Sequence, residues 1–370
     1  MKIAIMGTRG IPACYSGFET FAEQLSVRLV KMGHEVTVYC RSNIIKYPEK
    51  FYKGVRLVIL PTISHKYLDT VVHTFLTVIH SLFQRFDVAV ICNAANGPFA
   101  FIPRIAGTKI LMNPDGPDWR RNKWSGVGKL WFKFGEITSL AFANEIVSDA
   151  IVLKDYFIRE YKRDTVFIPY GSEVERVKTR EALNRFGLEP DNYILYVSRL
   201  EPENNAHLVI GAFEKTSTDK KLVIVGDAPY NKEYIAKLKQ TKDPRIIFTG
   251  FLFGKGYQEL QSHAHCYIQA TSVGGTHPAL VEAMGFGNCV IANDTPEHIE
   301  VVGDAAVIFD KNNEDSLRRQ IDLVTSTGFP IDEYRQKALK RMDEKYSWEK
   351  VAKNYEALFI KLCGMLNKQH

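Results

Sequence analysis

Ser272-Val273-Gly274-Gly275-Thr276-His277-Pro278-Ala279-Leu280-Val281-Glu282-Ala283-Met284-Gly285-Phe286-Gly287 stands between two short apolar runs, Cys266–Gln269 before it and residues 289–292 after it. The runs read as strands, and Pro278 suits the first turn of a helix between them. A strand, a glycine turn, a helix and a second strand make a parallel crossover. Gly274, Gly275 and Thr276 would then present backbone N–H groups at a positive helix end, a cradle for a diphosphate. Glu282 lies about one turn in, where a carboxylate accepts hydrogen bonds from ribose hydroxyls. A glutamate on a helix is usually a solvated surface residue, but the glycine loop at a strand end argues the other way here.

The same alternation extends in both directions. Upstream, 193–197, 222–225 and 246–248 read as strands, with a helix at 205–215. Downstream come a strand at 306–309 and helical segments at 314–325, 332–344 and 348–363. The first half repeats the pattern. Strands are expected at 2–6, 36–40, 56–60, 88–92, 109–112, 150–153 and 166–168, with helices at 19–32, 68–85 and 127–143. Phe21, Ala22, Leu25 and Leu29 share one face of the first helix, and Gly33 ends it. Alternating elements of this kind imply an α/β fold with parallel sheets covered on both faces. Two such series imply two doubly wound, Rossmann-like domains facing a cleft, with the joint in the polar stretch 171–190. Expected domains are 1–175, 176–345 and a terminal helical segment 346–370. Ligands of such sheets bind outside the carboxyl ends of the strands.

Composition narrows the class. In 370 residues, 45% are hydrophobic and 24% charged, which excludes collagen, a disordered chain and a disulfide-rich mini-protein. Lys plus Arg is 48 against 42 for Asp plus Glu, a net +6 that permits an anionic substrate or membrane surface. No long Lys/Arg block supports nucleic-acid binding. The six cysteines form no CxxC or zinc-ligand spacing and read as buried reduced thiols, which suits the cytoplasm. A strand directly after Met1 speaks against a signal peptide, and no apolar run of about 18 residues suggests a membrane span.

Other strand-end loops hold further candidates. Gly7-Thr8-Arg9-Gly10-Ile11-Pro12 leads through Gly17 and Glu19 into the first helix. Its glycines permit either ligand approach or simply a tight turn. It is not GxGxxG, and Arg41 stands where a dinucleotide site needs an acid, so an NAD oxidoreductase fails. Asp115 and Asp118, with Arg120 nearby, are candidates for an acceptor base and sugar ligands, or else Asx-type turn formers. Lys129, Trp131, Phe132, Lys133 and Phe134 suit either a membrane interface or a core helix with snorkelling lysines. His73 and His80 read as structural. Arg199 falls just past a strand, where a guanidinium holds a departing diphosphate through two N–H bonds; a salt bridge to Glu201 or Glu203 is the plainer alternative. Gly226 opens another turn at a strand end.

Together these motifs resemble the GT-B glycosyltransferases of the large retaining family 4, nearly end to end. The family's glycine loop is similar to 7–19, its VIPNG-like joint to Phe167-Ile168-Pro169-Tyr170-Gly171, its GRL-x-PEK loop to 198–204, and its EAMA-x-G-x-PVIA run to 282–292. More narrowly, GTRGIP with GFET, SRLEPENN and VGGTHPALVEAM resemble a bacterial subgroup that includes rhamnosyltransferases of capsule and cell-wall polysaccharide assembly. Three positions depart from the family: Gly274 replaces the first glutamate of its E-x7-E pair, Asn204 replaces its phosphate-binding lysine, and Ser16 replaces the first glycine of its paired GG. The subgroup shares the first two changes, which reads as adaptation to a donor.

The resemblance implies that a sugar moves from a nucleotide diphosphate donor to a hydroxyl of a lipid-linked glycan, with dTDP-rhamnose as first choice. The nucleotide sugar is a co-substrate; no cofactor is implied. With no D-x-D pair, no metal is needed. Arg199, Glu282 and Asp115 become the catalytic candidates. Donor contacts fall on Gly7, Arg9, Gly10, Gly17, Asn204, Gly226, Gly274, Gly275, Thr276, His277 and Glu282. Acceptor contacts fall on Glu19, Asp115, Asp118 and Arg120. A lipid-linked acceptor implies peripheral contact of segment 119–134 with the cytoplasmic face of the inner membrane, and the last helix crosses back to the first domain. The alternatives are a GT-B sugar-nucleotide epimerase, for which no acid/base set can be placed, and a non-catalytic sugar-nucleotide-binding partner.

Overall fold

The computed structural model describes residues 1–13, 17–65, 68–114, 116–120, 126–173, 176–228, 231–273 and 276–364. The chain forms two units, Met1–Tyr170 with Trp348–His370, and Gly171–Ser347.

Unit 1 is built on strands β1 (Lys2–Met6), β2 (Glu35–Arg41), β3 (Phe51–Tyr52), β4 (Val55–Leu60), β5 (Val88–Cys92), β6 (Lys109–Asn113), β7 (Glu145–Ser148) and β8 (Val166–Phe167). Their order is β3-β4-β2-β1-β5-β6-β7-β8. All neighbours are parallel except the β3–β4 hairpin, an antiparallel edge too short to leave a periodic signal. The central strand β5 is apolar throughout because both its faces are covered, and every one of its residues is buried. The direction of strand succession reverses between β1 and β5, so their carboxyl ends flank a switch point.

Helices α1 (Gly17–Lys31), α2 (Leu68–Leu82), α3 (Phe101–Ile105), α4 (Gly126–Phe142), α5 (Ile151–Tyr161) and α14 (Trp348–Leu362) complete this unit. The Phe21 ring of α1 packs 5.7 Å from Tyr170, 6.5 Å from Trp348 and 5.4 Å from Tyr355, centroid to centroid. The C-terminal helix is thus held by an aromatic cluster. One expectation is corrected. The strand expected at 150–153 is β7 at Glu145–Ser148, and the following apolar residues belong to α5. Leu153, Tyr156 and Phe157 are its buried residues, a helical spacing that outweighs the short Ile151-Val152-Leu153 run.

Unit 2 contains β9 (Tyr193–Val197), β10 (Lys221–Val225), β11 (Ile246–Gly250), β12 (Cys266–Gln269), β13 (Cys289–Asn293) and β14 (Ala306–Phe309). All pairs are parallel, in the order β11-β10-β9-β12-β13-β14. Period-two alternation splits each strand between two cores. Ile194, Tyr196, Leu222 and Ile268 face one layer, and Tyr193, Leu195, Val223 and Tyr267 the other. The helices are α6 (Glu181–Arg185), α7 (Ala206–Glu214), α8 (Lys232–Leu238), α9 (Gly254–His263), α10 (Pro278–Gly285), α11 (Pro296–Val302), α12 (Glu314–Thr325) and α13 (Ile331–Lys345). The unit boundaries fall at 170/171 and 347/348 rather than at 175/176 and 345/346. The Ser172 N–H donates to the Tyr346 carbonyl at 2.6 Å, and Ser172 bridges Ser347, which ties both ends of unit 2 together.

Among the described residues, no helix is long and apolar enough to cross a membrane, and no group of three or more His, Cys, Asp or Glu is placed to hold a metal ion.

Candidate functional site

In unit 2 the strand order reverses between β9 and β12, and the loops that leave these two strands carry the strongest sequence signals. The β9 loop presents Arg199. Arg199 is half-buried as a residue, and its guanidinium has no hydrogen-bond or ion-pair partner among the described residues. Neither carboxylate considered for it takes it up: Glu201 accepts from the Asn231 amide, and Glu203 Oε1 is buried without a partner.

Asn204 is buried, and its Nδ2 donates to the Arg199 carbonyl at 2.6 Å. The Tyr196 hydroxyl donates to the Asn204 carbonyl. The residue at the family's lysine position therefore braces the loop that displays Arg199. Asn205, in left-handed backbone at φ 64°, donates through Nδ2 to Ala270 O at 2.9 Å and Ser272 Oγ at 2.6 Å. Ser272 N–H returns a 3.0 Å bond to Glu203 O. The loops after β9 and β12 are stitched side by side. Gly226, after β10, lies against the same loop, and the Leu200 N–H reaches Asp227 O at 3.2 Å. Lys311, which sequence reading passed over, donates to Ser272 O at 3.1 Å and places a cation beside this loop.

Gly274 and Gly275 lie outside the described residues. Thr276 is buried, and His277 precedes α10 with Pro278 in its first turn. The His277 ring stands 4.9 Å from that of buried His298. Asn293 donates through Nδ2 to two backbone carbonyls, so its oxygen faces His298 Nδ1 at 2.6 Å and makes that nitrogen the donor. Burial holds the His298 ring well below the usual histidine range, so it backs His277 as a neutral group. Glu282, half-buried on α10, accepts from the Tyr257 hydroxyl at 2.6 Å. Burial raises its carboxyl to about 7 against the pull of that hydrogen bond, with nearby Glu173 adding repulsion. Phe251 and Phe253, exposed just past β11, stack at 5.7 Å.

In unit 1 the loop after β1 is tightly packed. A Cβ on Gly7 would lie 2.3 Å from Cys92 O, and one on Gly10 would lie 2.6 Å from Cys40 Sγ. Both have positive φ, so the turn itself requires these glycines. Glu19 is buried and accepts from the Arg9 N–H at 2.8 Å, which fixes the loop to the start of α1, two residues past Gly17. Asp115 lies outside the described residues. Asp118 is buried and faces Asn93 Nδ2 at 3.4 Å. Exposed Arg120 lies 5.0 Å from the Trp119 ring and 5.1 Å from that of Tyr156. His73, drawn down to about 4 by burial, bonds Cys40 O at 3.1 Å.

The aromatic segment divides. Phe132 is buried, and Trp131 Nε1 donates to Ala95 O at 3.2 Å. Lys133 pairs with buried Glu136 at 3.3 Å and lies 4.7 Å from the Trp119 ring. Phe132 and the Trp131 indole turn into the protein, and Lys133, partly exposed, is held at the surface by Glu136 and Trp119. The outward stripe is instead Val127, Leu130, Phe134 and Ile137, each about half exposed or more.

Residues 179–344 match the family described as glycosyl transferases group 1, and residues 1–173 match a domain of unknown function, DUF1972. Sucrose-phosphate synthase of Thermosynechococcus elongatus superposes with a TM-score of 0.84 at 16% identity, covering 98% of this chain and 99% of that one. Anabaena HepE in complex with UDP and glucose gives 0.80 at 16%, covering 98% and 100%. The chain has the GT-B fold. Among characterised relatives, this GT-B chain is 23% identical to O-antigen chain mannosyltransferase B of Escherichia coli over 176 residues, 45% of each protein. It is 25% identical over 166 residues to N-acetylgalactosamine-N,N'-diacetylbacillosaminyl-diphospho-undecaprenol 4-alpha-N-acetylgalactosaminyltransferase of Campylobacter jejuni, covering 44% of this chain and 45% of that protein. The GT-B chain thus matches about half the length of either relative.

Proposed function

We propose that this protein is a retaining glycosyltransferase that moves a sugar from a nucleoside diphosphate donor to a hydroxyl of a lipid-linked glycan in cell-surface polysaccharide synthesis. One observation carries the reading: half-buried Arg199, its guanidinium without a protein partner among the described residues, stands at the β9/β12 switch point on a loop bonded to Ser272 of the loop after β12. In the reaction, the bond from the anomeric carbon to phosphate oxygen breaks and the acceptor oxygen bonds to that carbon. The acceptor proton leaves with a phosphate oxygen of the departing nucleotide. Negative charge grows on the diphosphate, so preorganised donors aimed there stabilise the transition state more than the ground state. Arg199 supplies a full charge and paired N–H groups. Glu282 holds ribose hydroxyls. Attack from the leaving-group face retains the anomeric configuration without an enzyme nucleophile. The donor is dTDP-L-rhamnose, a choice that rests on the resemblance of the loops.

The acceptor side supports a membrane setting. The Campylobacter relative's name includes a diphospho-undecaprenol acceptor. In unit 1, ring contacts Phe75–Phe99, Phe99–Trp131 and Trp131–Phe134 join α2 to α4, and Phe83 just past α2, Ile105 at the end of α3, and Val127 and Leu130 on α4 are exposed apolar side chains. Arg85, Arg104 and Lys129, on or next to the same helices, are exposed, while the acid of α4, Glu136, is buried. Exposed apolar side chains and cations on the same helices fit an anionic bilayer.

The test is incubation with dTDP-rhamnose, UDP-glucose, UDP-N-acetylgalactosamine and GDP-mannose, with and without a lipid-linked glycan. Nucleotide release that needs the acceptor is expected. Donor epimerised without acceptor, or bound without turnover, overturns the assignment.

A further inference from the structure

The geometry points to Tyr257 as a positioning residue that aims the Glu282 carboxylate, its own polarity set by Gln261 and Asn288 behind it. This rests on the reading of Glu282 as the ribose ligand. Asn288 is wholly buried just past α10. Its Nδ2 faces two backbone carbonyls, Gln261 O at 2.9 Å and Ala283 O at 3.1 Å. A flipped amide would set oxygen against both, so its orientation is fixed. The same Nδ2 faces Gln261 Oε1 at 3.2 Å. Gln261 therefore turns its Nε2 to the Tyr257 hydroxyl, at 2.9 Å. A phenol carries one hydrogen. With its oxygen accepting from Gln261, that hydrogen goes to Glu282 Oε2 at 2.6 Å. Tyr257 and Gln261 are four apart on α9 and so share the face turned to α10.

The directed chain has a chemical consequence. It holds one carboxylate oxygen and leaves Oε1 without a hydrogen bond among the described residues, ready for hydroxyls. It also favours the ionised form, which accepts from both oxygens. Opposing it are burial and the charge of Glu173; Tyr267 from β12 is the remaining titratable neighbour among the described residues. Burial and the charge of Glu282 hold the Tyr257 hydroxyl well above its ordinary range, so it stays a donor at neutral pH.

The experiment measures binding of dTDP, UDP and GDP calorimetrically from about pH 5.5 to about pH 9. It compares the full-length protein with Tyr257→Phe, Gln261→Met and Glu282→Gln. Titration of the nucleotide phosphates is common to all and cancels in the differences. In wild type, affinity falls as Glu282 protonates. Tyr257→Phe is expected to move that midpoint up by roughly one to two pH units, with affinity recovered at high pH. Gln261→Met should move it in the same direction by less. Glu282→Gln should bind roughly tenfold more weakly and lose this pH step. If Glu282→Gln binds every nucleotide as wild type does, or wild type binds none, the donor-site reading falls. If Glu282→Gln weakens binding while the Tyr257→Phe profile overlays wild type, or is weaker by one factor at every pH, the positioning role falls and the donor site stands. Thermal denaturation of each variant identifies any that fails to fold; Gln261→Met then tests the same chain without altering the phenol.

Discussion

Gly226 approaches Ser198 so closely that a Cβ at 226 would lie 1.8 Å from the Ser198 carbonyl oxygen. At φ 137° the residue also occupies backbone that other residues rarely adopt. The turn after β10 and the loop that displays Arg199 share this contact. Gly226→Ala is expected to cost roughly 2 kcal/mol or more in stability and to displace the Arg199 loop. Chemical denaturation together with nucleoside diphosphate affinity checks both; an alanine variant with wild-type stability and affinity would refute the packing argument.

Arg199→Ala should lower turnover by roughly 10²-fold, in line with loss of one preorganised transition-state donor. Arg199→Lys should recover only part, because an ammonium keeps the charge without the planar pair of N–H groups. Because the guanidinium has no protein partner among the described residues, neither change should greatly alter the melting temperature. Steady-state kinetics would show turnover unchanged if the diphosphate binds elsewhere.

Glu282 makes stability depend on pH with a defined sign. Its carboxyl is raised from 4.5 to about 7, so between those values the folded state holds more protons than the unfolded one. Stability therefore falls as pH rises through that window and stays lower above it. Glu282→Gln removes the penalty. Its gain over wild type should be near zero at about pH 4.5 and reach about 3 kcal/mol at most above about pH 7.5. Denaturant titrations at both ends of the window measure it, and a gain that does not change with pH contradicts the raised carboxyl.

Leu130→Glu with Phe134→Glu places two charges on the outward stripe of α4. Co-sedimentation with vesicles containing anionic lipid should fall severalfold, with catalysis on a short-chain soluble acceptor retained. Lys133→Glu is a poor probe of the same idea, because Lys133 already pairs with Glu136 and leans on Trp119. Undiminished vesicle binding by the double variant removes this face as the membrane contact.

Much of the fold is legible because its signals are local. Apolar runs at 193–197, 266–269 and 289–293 are buried on both faces, and each ends at a polar or glycine turn that must leave the sheet. The error at 150–153 arose where a helix begins with β-branched residues, so that three consecutive apolar side chains imitate a strand. The two-residue β3 is below the length at which alternation can be read.

From the sequence alone came the alternation of elements, the glycine loops and the placement of Arg199 and Glu282 at strand ends, since backbone turns and periodicity depend on near neighbours. Only the tertiary structure decided which polar groups remain available. Glu19 and Asn204, candidate ligand contacts in the chain, each brace their own loop as well; of the segment that suits either a membrane interface or a core helix, Phe132 is buried, Trp131 bonds inward to Ala95 O, and Lys133 pairs with Glu136. Tyr257 joins Glu282 across 25 positions, a relation that no local pattern encodes. Hydrogen-bond partners and burial follow from which elements pack together, and that is a property of the folded whole.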